Sequence, residues 1–363
     1  MATRTRVVVM AGGRGERLWP LVRRDRPKAC VSFEGSCSLI EATLRRLKPL
    51  TGQQAVQIIT DHTHATPIRR ILGRRFRYEL LGEPQPKNTA ACVALAAVLA
   101  AKQDSSTVLV VVPADHWIKS ETGFRKSLSA AIAVARAHDA IVTVGLKPTR
   151  VHTGMGHLCL GSRATSVGGC RVFRLRRFIE KPSAARAQRL MRMPMFWNAG
   201  IFVGRAEVFV KTIQRWLPRH LQHLAPVAAH AGRSSFASAL AKAYRSLPNI
   251  SFDHGVMAHE RRGYVVESTF AWDDLGSWES WARLARSSAA VQIQSRNVRV
   301  LGANGPACRA CGAGRHLVAV AGVRDLVIVH TPDATLVCHP SASQAVREIV
   351  AKLVRDAQLS RYR

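Results

Sequence analysis

Acidic residues are scarce in this chain of 363 residues. Asp and Glu number 23 against 54 Lys and Arg, which gives a formal net charge of +31 at pH 7. Lysine is also rare, since only 11 of the basic residues are lysine, and the basic residues are spread along the whole chain. Such a charge predicts attraction for small phosphorylated ligands, but it does not determine fold or function. We therefore expect no specific nucleic-acid partner.

A hydrophobic run long enough to cross a membrane is missing. The longest apolar stretch, AACVALAAVLAA at residues 90–101, is well short of the roughly 20 residues that a spanning helix needs. The first residues show neither a long hydrophobic region nor the small-residue cleavage site of a secretion signal. We therefore expect a cytoplasmic protein without a membrane partner.

The cysteines form no disulfide framework. Eight are scattered along the chain, and in a reducing compartment most should be small buried hydrophobes. Cys308 and Cys311 form one Cys-x-x-Cys pair, with His316 close behind. This spacing could hold zinc, but without a second clean pair it favours a loop with two incidental cysteines.

Short apolar runs alternate with helix-like stretches through the first two-thirds of the chain. The runs predicted as buried strands are residues 7–11, 55–60, 107–113, 140–146 and 200–205. The stretches predicted as helices include residues 38–50, 88–102 and 123–138. Strands that alternate with helices predict an α/β fold with a parallel sheet covered on both faces.

The pattern changes after about residue 285. Short strand-like pieces then follow one another with turn residues between them, and residues 343–358 have helical periodicity. We therefore predict two domains, a large one over residues 1–285 and a small β-rich one over residues 286–363 that ends in a helix.

A glycine-rich turn follows the first predicted strand. Gly12, Gly13 and Gly15 allow the backbone to approach phosphates without a Cβ in the way. The turn lacks both the Gly-Lys-Ser/Thr of a P-loop and the Gly-x-Gly-x-x-Gly of a dinucleotide site. Instead Arg17 follows it, and Lys28 comes eleven residues later in Arg-Pro-Lys. This combination is more specific than a glycine turn alone.

Six ordered motifs resemble those of the sugar-nucleotide pyrophosphorylases, and among them the bacterial mannose-1-phosphate guanylyltransferases. AGGRGERLWPLVRRDRPK resembles the family's opening motif except for Val22, where the family has serine. The others follow in the family's order: GEPQPKNTAACVALAA, VVPADHWI, FIEKPS, FWNAGIFVGR and FAWDDLGSWES. The resemblance covers nearly the whole chain, including AVAGVRDLVIVHTPDATLVC near its end.

The resemblance implies a fold and a reaction. The fold is a Rossmann-like nucleotidyltransferase core with a mostly parallel sheet, and a short left-handed β-helix is one form that the small β-rich domain could take. The reaction is the Mg²⁺-dependent attack of mannose 1-phosphate on the α-phosphorus of GTP, which gives GDP-mannose and pyrophosphate. The alternatives are a related enzyme for another sugar or base, or a non-catalytic paralogue that binds nucleotide sugars and regulates a partner. A homodimer is a further candidate assembly.

The resemblance also implies a metal site and catalytic residues. Asp115, directly beyond the predicted strand at 107–113, and Asp274 would together hold Mg²⁺, a hard cation that prefers oxygen ligands. Arg17 and Lys28 would act on the triphosphate and the α-phosphoryl group, with Asp115 as the third catalytic residue. Asp273 is a neighbour that the family does not require.

Two further sets of residues are assigned in the same way. Those for the nucleotide are Ala11, Gly12, Gly13, Gly15, Glu83, Asn88 and Thr89. Those for the sugar phosphate are Gly154, Glu180, Lys181, Asn198 and Asp253. A carboxylate can accept from guanine N1–H and the exocyclic amine together, so Glu83 is the candidate for the base, with backbone groups near Pro84 as the alternative. Lys181 should meet the phosphate of the sugar.

Four positions beside the expected sugar pocket depart from the family pattern. His152, Met155 and His157 replace a carboxylate and two aromatic residues, and Ala258 replaces a glutamate. His157 could substitute for tyrosine in hydrogen bonding or pack as a neutral side chain. These departures leave the choice of sugar open.

Most arginines of the opening motif receive no role. Arg14, Arg23, Arg24 and Arg26 surround the two basic residues that the resemblance makes catalytic. The sequence alone predicts for them only a basic surface.

Overall fold

A computed structural model describes residues 4–33, 37–51, 56–284, 290–293, 296–302 and 318–363. The strands are β1 (Thr5–Met10), β2 (Val56–Asp61), β3 (Tyr78–Glu83), β4 (Val108–Pro113), β5 (Trp117–Ile118), β6 (Val142–Leu146), β7 (His157–Val167), β8 (Cys170–Ile179), β9 (Met195–Arg205), β10 (Tyr264–Glu267), β11 (Trp272–Asp273), β12 (Ala290–Ile293), β13 (Arg296–Gly302), β14 (Val318–Ala321), β15 (Arg324–His330) and β16 (Thr335–Cys338). The α-helices are α1 (Leu39–Thr51), α2 (Ala65–Leu72), α3 (Asn88–Gln103), α4 (Glu121–Ala137), α5 (Ala184–Leu190), α6 (Ala206–Trp216), α7 (Pro218–Ala228), α8 (Phe236–Ser246), α9 (Trp278–Leu284) and α10 (Val346–Arg355).

A nine-stranded sheet in the order β3-β2-β1-β4-β9-β6-β10-β8-β7 forms the centre of the molecule. The four strands β3, β2, β1 and β4 are parallel to one another. Beyond them, β9 runs antiparallel to both β4 and β6, and β7 and β8 form an antiparallel hairpin. The predicted α/β fold is therefore confirmed. Most of the parallel pairs lie in the half of the sheet that β3, β2, β1 and β4 form.

Helices cover both faces of this sheet because its central strands are apolar on both sides. Val7 and Val9 of β1 pack in the cluster that contains α1, α2 and α4, whereas Val8 packs in the cluster that contains α3, α6, α7 and α8. Alternate side chains of a strand point to opposite faces, so one short run of valines serves two cores. The result is a three-layer α/β/α arrangement.

Helix α3 explains the longest apolar run of the sequence. Residues 90–100 of this helix are all buried, as expected for a helix that is hydrophobic on every side. It packs between the sheet and the helices α6 and α7. Among the residues that the structure describes, no helix is long and apolar enough to span a bilayer.

The small β-rich part contains two short sheets and packs against the N-terminal motif. Strands β13, β15 and β16 form one sheet, and β12 pairs with β14 in the other. Helix α10 contributes Val346 and Leu353 to a cluster with Leu18 and Trp19. The Trp19 indole also donates to the carbonyl of Tyr362 at 2.7 Å. The C-terminal helix thus holds the segment that follows the glycine-rich turn.

Two predictions about the C-terminal part are not decided by this structure. The domain boundary at residue 285 stays a prediction, because residues 285–289 lie outside the described ranges. Cys308, Cys311 and His316, the residues considered for zinc, also lie outside the described residues.

The parallel half of the sheet brings several polar residues to one edge. Strand β2 ends at Asp61 and β3 at Glu83, and these two residues are paired in register. Strand β1 leads into the glycine-rich turn, and β4 leads to Asp115. The carboxyl ends of parallel strands meet at the same edge, which is where open α/β sheets bind ligands.

Candidate active site

A cavity of about 640 Å³ opens at this edge of the sheet. The predicted nucleotide and metal residues on its wall are Ala11, Gly12, Gly13, Glu83, Asn88, Thr89, Asp115 and Asp274. The predicted sugar residues on its wall are Gly154, Glu180, Lys181, Asn198 and Asp253. A volume of this size falls within the range of small-molecule sites. One cavity therefore unites residues that lie up to 263 positions apart, between Ala11 and Asp274.

Two glycines of the turn differ in what their surroundings require. A Cβ on Gly12 would lie 3.4 Å from Oε2 of Glu83, an ordinary van der Waals distance. Gly15 adopts φ +63°, and a Cβ there would lie 2.8 Å from Cβ of Lys28. The left-handed conformation and the steric contact each favour glycine at this position. Gly15 thus allows Lys28 to pack directly under the turn.

Lys28 contacts both residues that are predicted to hold metal. Its Nζ lies 2.7 Å from Oδ2 of Asp115 and donates at 2.5 Å to the backbone carbonyl of Asp274. Burial alone would raise the pKa of Asp115, but the Lys28 ammonium holds this pKa below its usual value. The backbone N–H of Gly276 donates to Oδ1 of Asp274 at 3.1 Å. Lys28 thus contacts the carboxylate of Asp115 and the backbone of Asp274, and both aspartates lie on the cavity wall.

These two residues fit a magnesium ion. Their donors are carboxylate oxygens, and within the described ranges no group of three or more His, Cys, Asp or Glu side chains could hold a metal by itself. Magnesium is commonly bound by one or two carboxylates, with substrate phosphates and water as its other ligands. The adjacent Asp273 has a separate role, because it accepts from the N–H of Leu275 at 2.8 Å and pairs with Arg283.

His116 is a cavity residue that the sequence analysis did not select. The Trp272 indole donates to its Nδ1 at 3.0 Å. Burial lowers the pKa of His116 to about 4, so the ring is neutral at pH 7. An indole can only donate, so the proton of the neutral ring is on Nε2. Its position directly after Asp115, in the motif PADH, was the available sequence signal.

Arg17 lies beside the cavity and not on its wall. It belongs to the short 3₁₀ helix Glu16–Leu18, and its Nε has no hydrogen-bond partner among the described residues. Burial lowers the pKa of Arg17, and the nearby Arg347 of α10 lowers it further. Asp274 is the acidic group that acts on it in the opposite direction. The predicted contact of Arg17 with a triphosphate therefore stays a prediction.

Glu83 is held by a tyrosine from a distant helix. It is only 5% exposed, and the hydroxyl of Tyr244 donates to its Oε1 at 2.9 Å. Burial raises the pKa of Glu83 to about 7, although the hydrogen bond from Tyr244 opposes this shift. Tyr244 belongs to α8, 161 residues further along the chain. Its sequence context, FASALAKAYRS, carries no motif that would have indicated this contact.

Asn88 and Thr89 shape the start of helix α3. Asn88 adopts φ +64°, and its Oδ1 accepts from the N–H of Thr89 at 2.9 Å. The hydroxyl of Thr89 accepts from the N–H of Phe252 at 2.8 Å. In the first turn of α3, the N–H groups of Thr89 and Ala90 therefore already have protein partners.

A hydrogen-bonded chain includes two residues of the cavity wall, Asn198 and Asp253. The hydroxyl of Thr143 donates to Oδ1 of Asn198 at 2.9 Å, and Nδ2 of Asn198 donates to Oδ1 of Asp253 at 2.6 Å. Burial raises the pKa of Asp253 to about 7, and the charge of Glu180 adds to this rise. Thr143 was not identified from the sequence, because it lies inside a strand predicted only as core. This chain fixes the orientation of the Asn198 amide.

Lys181 lies on the same cavity wall and is exposed to solvent. Its Nζ pairs with Oε1 of Glu180 at 3.0 Å, and its side chain is 64% exposed. An exposed ammonium on the cavity wall is available to an anionic group of a ligand.

The four departures from the family pattern differ in their positions. His157 is fully buried, with Nδ1 at 3.0 Å from the carbonyl of Met155, and burial lowers its pKa. It therefore packs as a neutral side chain. His152 contacts Trp197 edge to face, and Ala258 packs against the hydrophobic core. Met155 is the one among these four that lies on the cavity wall.

Comparisons with known proteins agree with this architecture. A family model described as nucleotidyl transferase matches residues 6–290, and one described as MannoseP isomerase/GMP-like beta-helix domain matches residues 290–353. The mannose-1-phosphate guanylyltransferase RfbM of Salmonella typhimurium is 31% identical, over 96% of this chain and 72% of its own length. The alginate biosynthesis protein AlgA of Pseudomonas aeruginosa is 30% identical, over 97% and 72%. A solved structure from Thermus thermophilus, named a mannose-1-phosphate geranyltransferase, has a TM-score of 0.81 and 32% identity, over 97% of this chain and 99% of its own.

Proposed function

Because the chain belongs to the nucleotidyl transferase family, and within it to the mannose-1-phosphate guanylyltransferases, we propose that it transfers the guanylyl group of GTP to mannose 1-phosphate. The products are GDP-mannose and pyrophosphate. The observation that carries the proposal is the pair between Asp115, on the cavity wall, and the buried Lys28 at 2.7 Å. The same cavity wall contains residues of the glycine-rich turn, Glu83, and the hydrogen-bonded residues Asn198 and Asp253.

The residues around Lys28 are suited to phosphoryl chemistry. An oxygen of the sugar phosphate attacks the α-phosphorus, and the bond from that phosphorus to the leaving pyrophosphate breaks. Two polyanions must meet for this step, so the site has to neutralise charge. Lys28 supplies a buried cation at the α-phosphoryl group, and Asp115 fixes its position. A magnesium ion bound by Asp115 and Asp274 would supply further neutralisation of phosphate charge.

Glu83 is proposed to recognise guanine. Tyr244 occupies one lone pair of Oε1 and leaves Oε2 free to accept, so the carboxylate can receive guanine N1–H and the exocyclic amine. Only the ionised form accepts from both donors. With a pKa of about 7, Glu83 becomes ionised as the pH rises from 6 to 8. We therefore expect the dissociation constant of GDP-mannose to fall about tenfold over this interval.

The variant Tyr244→Phe tests this role of Glu83. It removes the hydrogen bond that lowers the pKa of the carboxyl and adds no volume, so the pH midpoint for GDP-mannose binding should move to higher pH. GDP-mannose is the probe because its phosphates do not titrate near pH 7. The pKa of Asp253 also lies in this range, but the variant leaves Asp253 unchanged. The difference in pH midpoint between the two proteins therefore reports the ionisation of Glu83. An unchanged midpoint would contradict this assignment.

The Asn198–Asp253 pair is proposed to bind the hydroxyls of the sugar. In Asn198→Asp, a carboxylate replaces the amide that donates to Asp253 at 2.6 Å, so two acidic groups would face each other. We expect the KM for mannose 1-phosphate to rise about tenfold, as for the loss of one polar contact to a ligand. The KM for GTP should stay the same and serves as the internal control. Equal rises in both constants would show that the pair does not distinguish the two substrates.

The proposed reaction is tested by incubating the purified protein with GTP, mannose 1-phosphate and Mg²⁺. We expect pyrophosphate and GDP-mannose in equal amounts, and neither of them when EDTA replaces Mg²⁺. Release of pyrophosphate without GDP-mannose would indicate hydrolysis and would contradict the proposal. The homodimer also stays a prediction, for which sedimentation velocity is the direct measurement.

A further inference from the structure

One ring nitrogen of His116 is engaged by the protein and the other is not. The Trp272 indole donates to Nδ1 at 3.0 Å, and the two rings meet edge to face with their centroids 4.9 Å apart. Because an indole can only donate, Nδ1 carries no proton, and Nε2 must carry the proton of the ring. Within the described ranges, no protein group accepts from this Nε2–H. His116 lies on the cavity wall, so the N–H is available to a ligand.

Further contacts hold His116 in place. Its backbone carbonyl accepts from the buried Arg46 of α1 at 3.1 Å. Trp272 is itself fixed, because it belongs to β11 and is paired in register with Ile118 of β5. A donor that is already positioned binds a ligand without the entropy cost of ordering a flexible side chain.

His116 adjoins two parts of the cavity wall. It directly follows Asp115, which pairs with Lys28. A Cβ on Gly200 would lie 3.9 Å from Cε1 of His116, and Gly200 lies two residues after Asn198 on β9. Since Gly200 has no side chain, the space beside the edge of the imidazole ring stays open.

We propose that the Nε2–H of His116 donates a hydrogen bond to the phosphate of the sugar phosphate and so orients the attacking group. This inference rests on the proposed function, in which Asp115 acts near the α-phosphoryl group and Asn198 binds the sugar. During the attack, the phosphate of mannose 1-phosphate links the sugar to the α-phosphorus. It is therefore the ligand group expected beside a residue that adjoins both Asp115 and Gly200.

The contact of His116 would differ in kind from that of a lysine. An ammonium group acts on phosphate mainly as a point charge on a flexible stem, so it neutralises the anion without fixing its orientation. A neutral imidazole has a single N–H in the plane of the ring, and its hydrogen bond is directional. His116 would thus position the phosphate, whereas the lysines would neutralise its charge.

Binding of GDP-mannose, measured by isothermal titration calorimetry, tests this contact. The mannose-linked phosphate of GDP-mannose is the one that mannose 1-phosphate contributes, and GMP lacks it. His116→Asn keeps an oxygen that can accept from Trp272 but has no atom at the place of Nε2, whereas His116→Gln can put an amide N–H there. We expect His116→Asn to bind GDP-mannose about tenfold more weakly or worse, and His116→Gln to retain most of the affinity. GMP should bind to all three proteins alike.

The matched control is His138→Asn, at an exposed position outside the cavity wall. It should bind GDP-mannose and GMP as the unaltered protein does. Equal losses of affinity for both ligands in His116→Asn would show a merely structural role of the ring and would overturn the proposal. An affinity of His116→Asn for GDP-mannose equal to that of the control would overturn it as well.

The position of the ring proton is tested without any ligand, by long-range ¹H–¹⁵N correlation spectra of protein labelled with ¹⁵N-histidine at pH 7. The signals missing from His116→Asn identify His116. We expect an unprotonated Nδ1 and a protonated Nε2, and a mixture of both tautomers in Trp272→Phe, which lacks the indole donor. A proton on Nδ1 of the unaltered protein would contradict the proposal.

Failure of the proposed function would be recognised separately. Every nucleoside diphosphate sugar has a sugar-linked phosphate, so the binding comparison is repeated with UDP-glucose and UMP. Binding of UDP-glucose in place of GDP-mannose, with the same loss in His116→Asn, would refute the proposed substrates and support the contact of His116. Absence of that loss, with whichever of the two nucleotide sugars binds to the unaltered protein, would refute the contact alone.

Discussion

Asp115→Asn is expected to lower the rate of pyrophosphate release from GTP and mannose 1-phosphate about a thousandfold. The change removes the charge that positions Lys28 at 2.7 Å and one of the two carboxylates proposed for magnesium. Loss of a single preorganised electrostatic contact commonly costs a hundredfold to a thousandfold, about 2.7–4 kcal/mol of transition-state stabilisation. The rate is measured under saturating substrates, with circular dichroism to confirm that the variant is folded.

The matched control for this variant is Asp25→Asn. Asp25 is exposed and lies in the same N-terminal motif, but outside the cavity wall. It should retain the full rate. A folded Asp115→Asn protein with a rate within tenfold of the unaltered protein would contradict the assignment of Asp115 to the catalytic site.

Gly15→Ala is expected to lower the same rate about a hundredfold. A Cβ at Gly15 would lie 2.8 Å from Cβ of Lys28 and 3.3 Å from Val22, so Lys28 has to move. A displacement of about 1 Å at a reacting group can cost a hundredfold in rate. The left-handed φ of +63° should in addition lower the free energy of unfolding by about 1–2 kcal/mol.

Gly168→Ala separates these two effects. Gly168 also has a positive φ, of +55°, but a Cβ there would meet nothing within 4 Å. Thermal unfolding should show a loss of stability in both variants, larger in Gly15→Ala because of its contact with Lys28, while only Gly15→Ala loses activity. Equal rates for the two alanine variants would mean that the contact between Gly15 and Lys28 does not position the lysine.

Strands with continuous apolar runs were predictable from the sequence, whereas the marginal strands β3, β7 and β8 and the short inner strand β10 were not. The five predicted apolar runs correspond to β1, β2, β4, β6 and β9. The hairpin of β7 and β8 was not predicted as strands, because β8 reads CRVFRLRRFI and buries only part of its residues. A strand exposed on one face needs no continuous apolar run, and arginines on its outer face interrupt the pattern.

The candidate site could be predicted where its residues belong to motifs. Asp115 and Asp274 were selected from PADH and WDDLGSW, and the fold brings both to Lys28. Tyr244 and Thr143 were missed, because each acts through one long-range hydrogen bond that leaves no local pattern. Such partners become visible only when the sheet order and the packing of α8 are known.

Composition also left the arginines of the N-terminal motif unexplained. Arg14, Arg23 and Arg24 have no periodicity or spacing that distinguishes them from the other basic residues. In the fold they converge on one cavity because α10 packs over the segment after the glycine-rich turn. Their common position could therefore not be inferred before the position of the C-terminal helix was known.

The proposed substrates of this enzyme are GTP and mannose 1-phosphate, and a matrix of pyrophosphate-release assays tests this choice directly. Each of GTP, ATP, UTP, CTP and dTTP is combined with mannose 1-phosphate and with glucose 1-phosphate, in the presence of Mg²⁺. We expect the highest kcat/KM for GTP with mannose 1-phosphate. No pyrophosphate from this pair, together with turnover of any other pair, would contradict it.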